Sequence, residues 1–159
     1  MKPARLTVLA AGLLLTSALP TFGQEARATL EACLAQRIDN EAQMLNCVTE
    51  ALSPCLAEPD DMNSVAALCF RDSRRQFDQG LSARIVDLRG QADDALVTLV
   101  SIELKYDIFS GLLQCDRLEE LARALSEISQ EAVQRQKAQC QATTSGLALA
   151  RLQLRSIQK

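Results

Sequence analysis

The stretches CLAQRIDNEAQMLNC (33–47) and CLAEPDDMNSVAALC (55–69) write one frame twice: two cysteines around thirteen residues, Cys-Leu-Ala first, an aspartate near the middle. If each spacer were one straight helix, cysteines at i and i+14 would share a face at about 100° per residue. Two such helices would be bridged as a nested hairpin, 33 to 69 and 47 to 55. The second copy argues against this. Pro59 follows Glu58, and Asp60, Asp61 and Asn63 offer caps, so one helix stops and another starts inside the frame. The first copy has Ile38-Asp39-Asn40 at the matching place, where Asp and Asn also favour a helix start. Each frame then folds as helix end, turn and helix start, with its cysteines on facing helices. That geometry predicts the bridges Cys33–Cys47 and Cys55–Cys69.

The remaining cysteines, Cys115 and Cys140, flank DRLEELARALSEISQEAVQRQKAQ, a strongly helical stretch. An unbroken helix would hold them roughly 37 Å apart, far beyond the Cα separation of about 4.4–6.8 Å that a disulfide tolerates. If they are joined, the chain must turn, and SEIS (126–129) is the one place with capping residues. Otherwise the two are free or bridge to another molecule. We expect the bridge. No histidine and no Cys-x-x-Cys pair occur, so neither a metal site nor a cofactor is expected.

Working outward, the chain opens with Lys2 and Arg5, then a mostly apolar run from Leu6 to Leu19 and small residues at Thr21 and Gly23. This is the pattern of a secretory leader, too short for a membrane span, with cleavage expected after Gly23. Residues 1–23 are read as a signal peptide and 24–159 as a single helical domain, periplasmic or secreted. Six cysteines in such a chain read as a disulfide framework. Loss of Lys2 and Arg5 leaves 15 basic against 20 acidic residues, a net charge of −5. Nucleic acid is excluded as a partner by that balance, and a basic protein is the electrostatic match. Asp60, Asp61, Asp93 and Asp94, at helix ends, are the acidic residues expected to face it.

From Glu25 onward the apolar spacing is helical throughout. Helices are expected over 25–37, 41–57 and 62–90, the last with Val65, Leu68, Cys69, Asp72, Phe77, Leu81, Ile85 and Leu88 on its inner face. Gly90 marks a stop, and Asp93-Asp94 cap the next helix, about 94–114. The final stretch is expected to break near 126–130 and at Gly146. No alternating strand pattern of useful length occurs. The fold class is all-α: a small disulfide-stapled helical bundle with short helical corners.

Catalytic arrangements are hard to assemble. Hydrolytic triads and most proton shuttles need a histidine. The carboxylate pairs Asp60/Asp61, Asp93/Asp94 and Glu119/Glu120 read as helix-start or solvated-face charges. RDSRR (71–75) reads as a solvated face with internal ion pairs. Tyr106 and Phe109, a turn apart, read as core. A binding or structural protein is expected, not an enzyme.

CFRDSRRQFDQGLSARIVDL (69–88) resembles the Cys…Trp/Tyr-Asp-x-x-Leu-Asn-x-x-Tyr-x-x-Leu element of the LprI-like lysozyme-inhibitor family. Phe77, Asp78, Leu81 and Leu88 follow the pattern, with Ser82 and Ile85 replacing its Asn and Tyr. LKYDIFSGLLQC (104–115) resembles the family's Gln-Arg-x-Trp-x-x-Phe-Arg-Asp-x-x-Cys segment through Lys105, Tyr106, Phe109 and Cys115, with Ser110-Gly111 in place of Arg-Asp. Cys140, Thr143, Thr144 and Arg151 are similar to its closing Cys…Thr…Arg…Leu helix. The resemblance implies an exported, disulfide-stapled helical domain that blocks a basic, lysozyme-type muramidase by binding. It also implies that Phe77, Asp78, Leu81, Tyr106 and Phe109 shape the structure. The alternative is an envelope protein, structural or chaperone-like, that presents a helical face to other proteins.

Overall fold

The computed structural model describes residues 25–36, 40–125 and 128–157. The expected leader and the middle of the first corner, Ile38-Asp39, lie outside them. The described residues form six helices and no strand: α1 (Glu25–Leu34), α2 (Glu41–Ala51), α3 (Ser53–Leu56), α4 (Asn63–Gln91), α5 (Asp94–Leu125) and α6 (Gln130–Ile157). This is the expected all-α, disulfide-stapled architecture.

Each frame holds a helix end and a helix start, as expected, and the first helix start is capped as expected. Asn40 sits in extended conformation ahead of α2, and its Oδ1 accepts from the Gln43 amide at 3.0 Å. Cys33 and Cys47 are bridged across that corner, Cys55 and Cys69 across the next, both with Cα atoms 5.5 Å apart. The expected second helix, 41–57, is interrupted at Leu52. Pro54 in the first turn of α3 supplies no amide to the ladder, so α2 stops and a four-residue helix starts. The start of α4 differs as well: neither Asp60 nor Asp61 caps it. Instead the Asn63 side chain donates back to the Asp60 carbonyl at 2.8 Å.

The core is made mainly by α1, α2, α4 and α6. Leu30, Val48, Leu52, Phe70, Phe77, Leu149 and Ala150 are sealed from solvent in one cluster. The inner face of α4 is rotated from the one expected. Ala66, Ala67, Phe70, Ser73, Gln76, Phe77, Gly80 and Leu81 are buried, whereas Val65 and Leu68 are exposed. Small residues line this face because α4 and α6 lie close together. α6 runs unbroken through Gly146, where a break was expected. A Cβ there would sit 2.9 Å from Val48 Cγ1 and 3.2 Å from Phe77 Cε2. The missing side chain is a packing requirement, not a hinge.

α5 also departs from expectation by continuing past residue 114 to Leu125 as one helix. Asp93 caps it, its Oδ1 accepting from the Leu96 amide at 2.7 Å. The expected turn at SEIS (126–129) lies partly outside the described residues; within them, the Ser129 hydroxyl accepts from the Ala132 amide at 3.2 Å and opens α6. The resulting α5–α6 hairpin aligns Cys115 with Cys140, which are bridged at a Cα separation of 5.6 Å.

Candidate functional site

α5 is held from one side only. Its inner face, with Val97, Val100, Leu104, Ile108 and Cys115, packs toward α6 and the core. Gly111 lets the hairpin close, since a Cβ at that position would collide with Thr144 Cγ2. An acid–base edge fixes the register. Lys137 reaches Asp116 at 2.8 Å and also Glu119, Arg151 reaches Asp107 at 3.7 Å, and Arg155 pairs with Glu103. Hydrogen bonds that Lys137 donates to Asp116 first and to Glu119 second raise its pKa above the ordinary value, opposed by partial burial.

The opposite face of the same helix is covered by nothing among the described residues. Leu99, Ile102, Tyr106, Phe109 and Leu113 are 55, 48, 66, 64 and 40 % exposed. Their spacing of three, four, three and four residues puts them in one row, the spacing that two paired helices use for their seam. Tyr106 and Phe109, expected in the core, are therefore on the surface. The periodicity of α5 could not reveal this, because apolar residues occupy both faces and only α6 decides which of them is covered. The row was visible in the sequence as a second apolar stripe, and that surplus was the available signal.

The other expected residues are placed differently. Phe77 and Leu81 are buried, and Asp78 lies at the edge of that face. Asp78 pairs with Arg74 on its own helix at 3.6 Å, not with a neighbouring one. Arg75 pairs with Asp72 at 3.0 Å, so RDSRR carries the internal ion pairs expected of it. The acidic pairs are not gathered. Asp60–Asp61 precede α4 and Asp93–Asp94 follow it, with 29 helical residues, roughly 43 Å, between them. The exposed Asp60 carboxylate lies 3.5 Å from Arg135, whose guanidinium donates to the carbonyls of Glu58 and Pro59. Asp93 is spent as a cap.

No group of three His, Cys, Asp or Glu among the described residues could hold a metal ion. A cavity of about 310 Å³ between α1, α4 and α6 is lined by Arg27, Glu31, Gly80, Arg84 and Gln153. Glu31 there accepts from Arg27 at 2.7 Å and from Gln153 at 3.2 Å. That arrangement is an ion-pair network with no nucleophile beside a base. Ser145 is buried in the core without a hydrogen-bond partner for its hydroxyl. Among the described residues, the outer row of α5 is the longest regularly spaced set of exposed apolar side chains. Comparison with family models, with curated proteins and with solved structures finds no match to this chain, so the lysozyme-inhibitor resemblance rests on its quoted residues alone.

Proposed function

We propose that this chain is an exported, non-catalytic binding protein of the cell envelope, and that the outer face of α5 is its contact surface. One observation carries the reading: five large apolar side chains stand in a row on a helix whose other face is already packed. Together they expose roughly 600 Å² of mostly apolar surface, at the upper end of what a soluble monomer shows. The leader pattern of residues 1–23 and the three disulfides support an oxidising compartment, the periplasm or the exterior. The test is a photoreactive residue at Phe109, irradiated in intact cells. Covalent adducts formed from that position, and not from one on α4 such as Gln79, are the expected outcome. Equal labelling from both, or none, would remove the proposal.

A second reading, occlusion of a basic muramidase, is favoured by the net charge of −5 after leader removal and by the exposure of Asp61 and Asp94. It predicts inhibition of a lysozyme by the purified protein at low ionic strength, fading as salt is added. Undiminished lysozyme activity at low salt would end it.

A further inference from the structure

We infer that the occupant of the α5 face is a second copy of this chain, paired antiparallel about Tyr106. The inference rests on the interaction reading above and names its partner.

Area is the first argument. Roughly 600 Å² on each copy makes about 1,200 Å² removed from water when two copies meet, above the approximately 1,000 Å² that a specific interface needs. Register is the second. Leu99 and Leu113 each lie seven residues from Tyr106, and Ile102 and Phe109 lie four and three. An antiparallel pair centred on Tyr106 therefore sets Leu99 level with Leu113 of the second copy and brings Ile102 to within one residue's rise, about 1.5 Å, of the level of its Phe109. Every ring except Tyr106 meets an aliphatic side chain, and the two Tyr106 rings meet each other. The row is self-complementary, as a two-fold interface requires. A three-four spacing also calls for a helix as the partner, and a second copy offers one of equal length, exposed in the same way.

Charge is the third argument. A protein with net −5 after leader removal, and −3 before it, repels its own copies unless the contact is locally neutral. Here it is: Glu103 is paired with Arg155 and Asp107 with Arg151, both on α6. The same census disfavours a lipid surface. α5 carries Asp94, Glu103, Asp107, Asp116, Glu119 and Glu120 against Lys105, Arg117 and Arg123. An anionic membrane needs the opposite balance beside an apolar stripe.

The chain contains one tyrosine and no tryptophan, which makes the test specific. Photo-oxidation of the purified, disulfide-intact protein can form dityrosine only between copies, and only where two Tyr106 rings meet. Sedimentation across a concentration series should pass from monomer to dimer, with dityrosine emission and a covalent dimer appearing in step. Phe109→Asp, at an exposed position, should keep the helical spectrum and melting temperature. It should weaken dimerisation at least about 30-fold and remove the crosslink. A monomer at every concentration, with no dityrosine, overturns the self-pairing. So does a dimer that Phe109→Asp leaves intact. A photoreactive residue at Phe109 that captures another protein while the chain stays monomeric overturns this inference and leaves the interaction reading standing. No capture and no dimer would remove both.

Discussion

α4 and α5 are nearly the same length, 29 and 32 residues, and both pack on α6, yet they are attached in different ways. α4 buries two phenylalanines, a leucine and several small residues against α6, α1 and the corners. α5 fully buries only Val97 and Cys115 among its side chains. Its place is held by a disulfide, a glycine–threonine contact and an edge of ion pairs. A helix fixed by the core can spare few side chains for a partner. A helix fixed by a staple keeps a whole face for one. α4 carries a bridge too, at Cys69, but it has the buried core beside it, whereas α5 leans far more on the bridge at Cys115.

Three measurements break or sharpen this contrast. Phe77→Ala should have the largest effect, a loss of about 3–5 kcal/mol read from denaturant midpoints, because it opens a cavity in the sealed α4–α6 contact. A loss under 1 kcal/mol would mean that α4 is no better anchored than α5. Replacing Cys115 and Cys140 together by serine should cost roughly 3 kcal/mol on the chain-entropy account. The damage should be local: amide exchange should quicken over 97–115 while residues 66–81 of α4 keep their protection. Uniform quickening would show α5 to be part of the same cooperative unit.

The smallest effect belongs to Lys137. A folded-state pKa above 10.5 means that the charged form is favoured by folding. The contribution is complete below the unfolded value of about 10.5 and fades as pH rises through the higher folded one. The side chain is partly exposed, so Lys137→Gln should cost under about 1 kcal/mol at neutral pH. The difference from the parent should hold to about pH 9 and shrink above 10.5. A difference that persists in strong alkali would assign the effect to packing of the lysine stem.

Much of the frame was legible before the structure. Pro59 excluded the nested hairpin, Asn40 and Asp93 announced helix starts, and a turn near Ser129 followed from the reach of a disulfide. These are local rules, in which one residue's chemistry acts within a few positions. The interruption at Leu52 was equally local, and its signal was Pro54. What could not be read was which apolar face turns inward. Along α4 the wide residues Val65 and Leu68 looked like core, but the approach of α6 at Gly80 admits only Ala, Ser and Gly on much of that face. Along α5, apolar residues on both sides left Tyr106 and Phe109 free to be read inward. Gly146 looked like a break because its reason for being glycine, the nearness of Val48 and Phe77, is tertiary.

The order of the bridges has a consequence for how the protein is made. Six cysteines allow 15 complete pairings, and the one adopted joins first to second, third to fourth and fifth to sixth. For a chain threaded N-terminus first into an oxidising compartment, each odd-numbered cysteine in that order finds its partner in the next one to arrive. A thiol oxidase that acts on consecutive cysteines therefore writes the native set directly, and no isomerase has to erase a wrong bond. Each staple also closes a short loop, so in a chain delivered in that order both corners would be locked before α5 and α6 arrive.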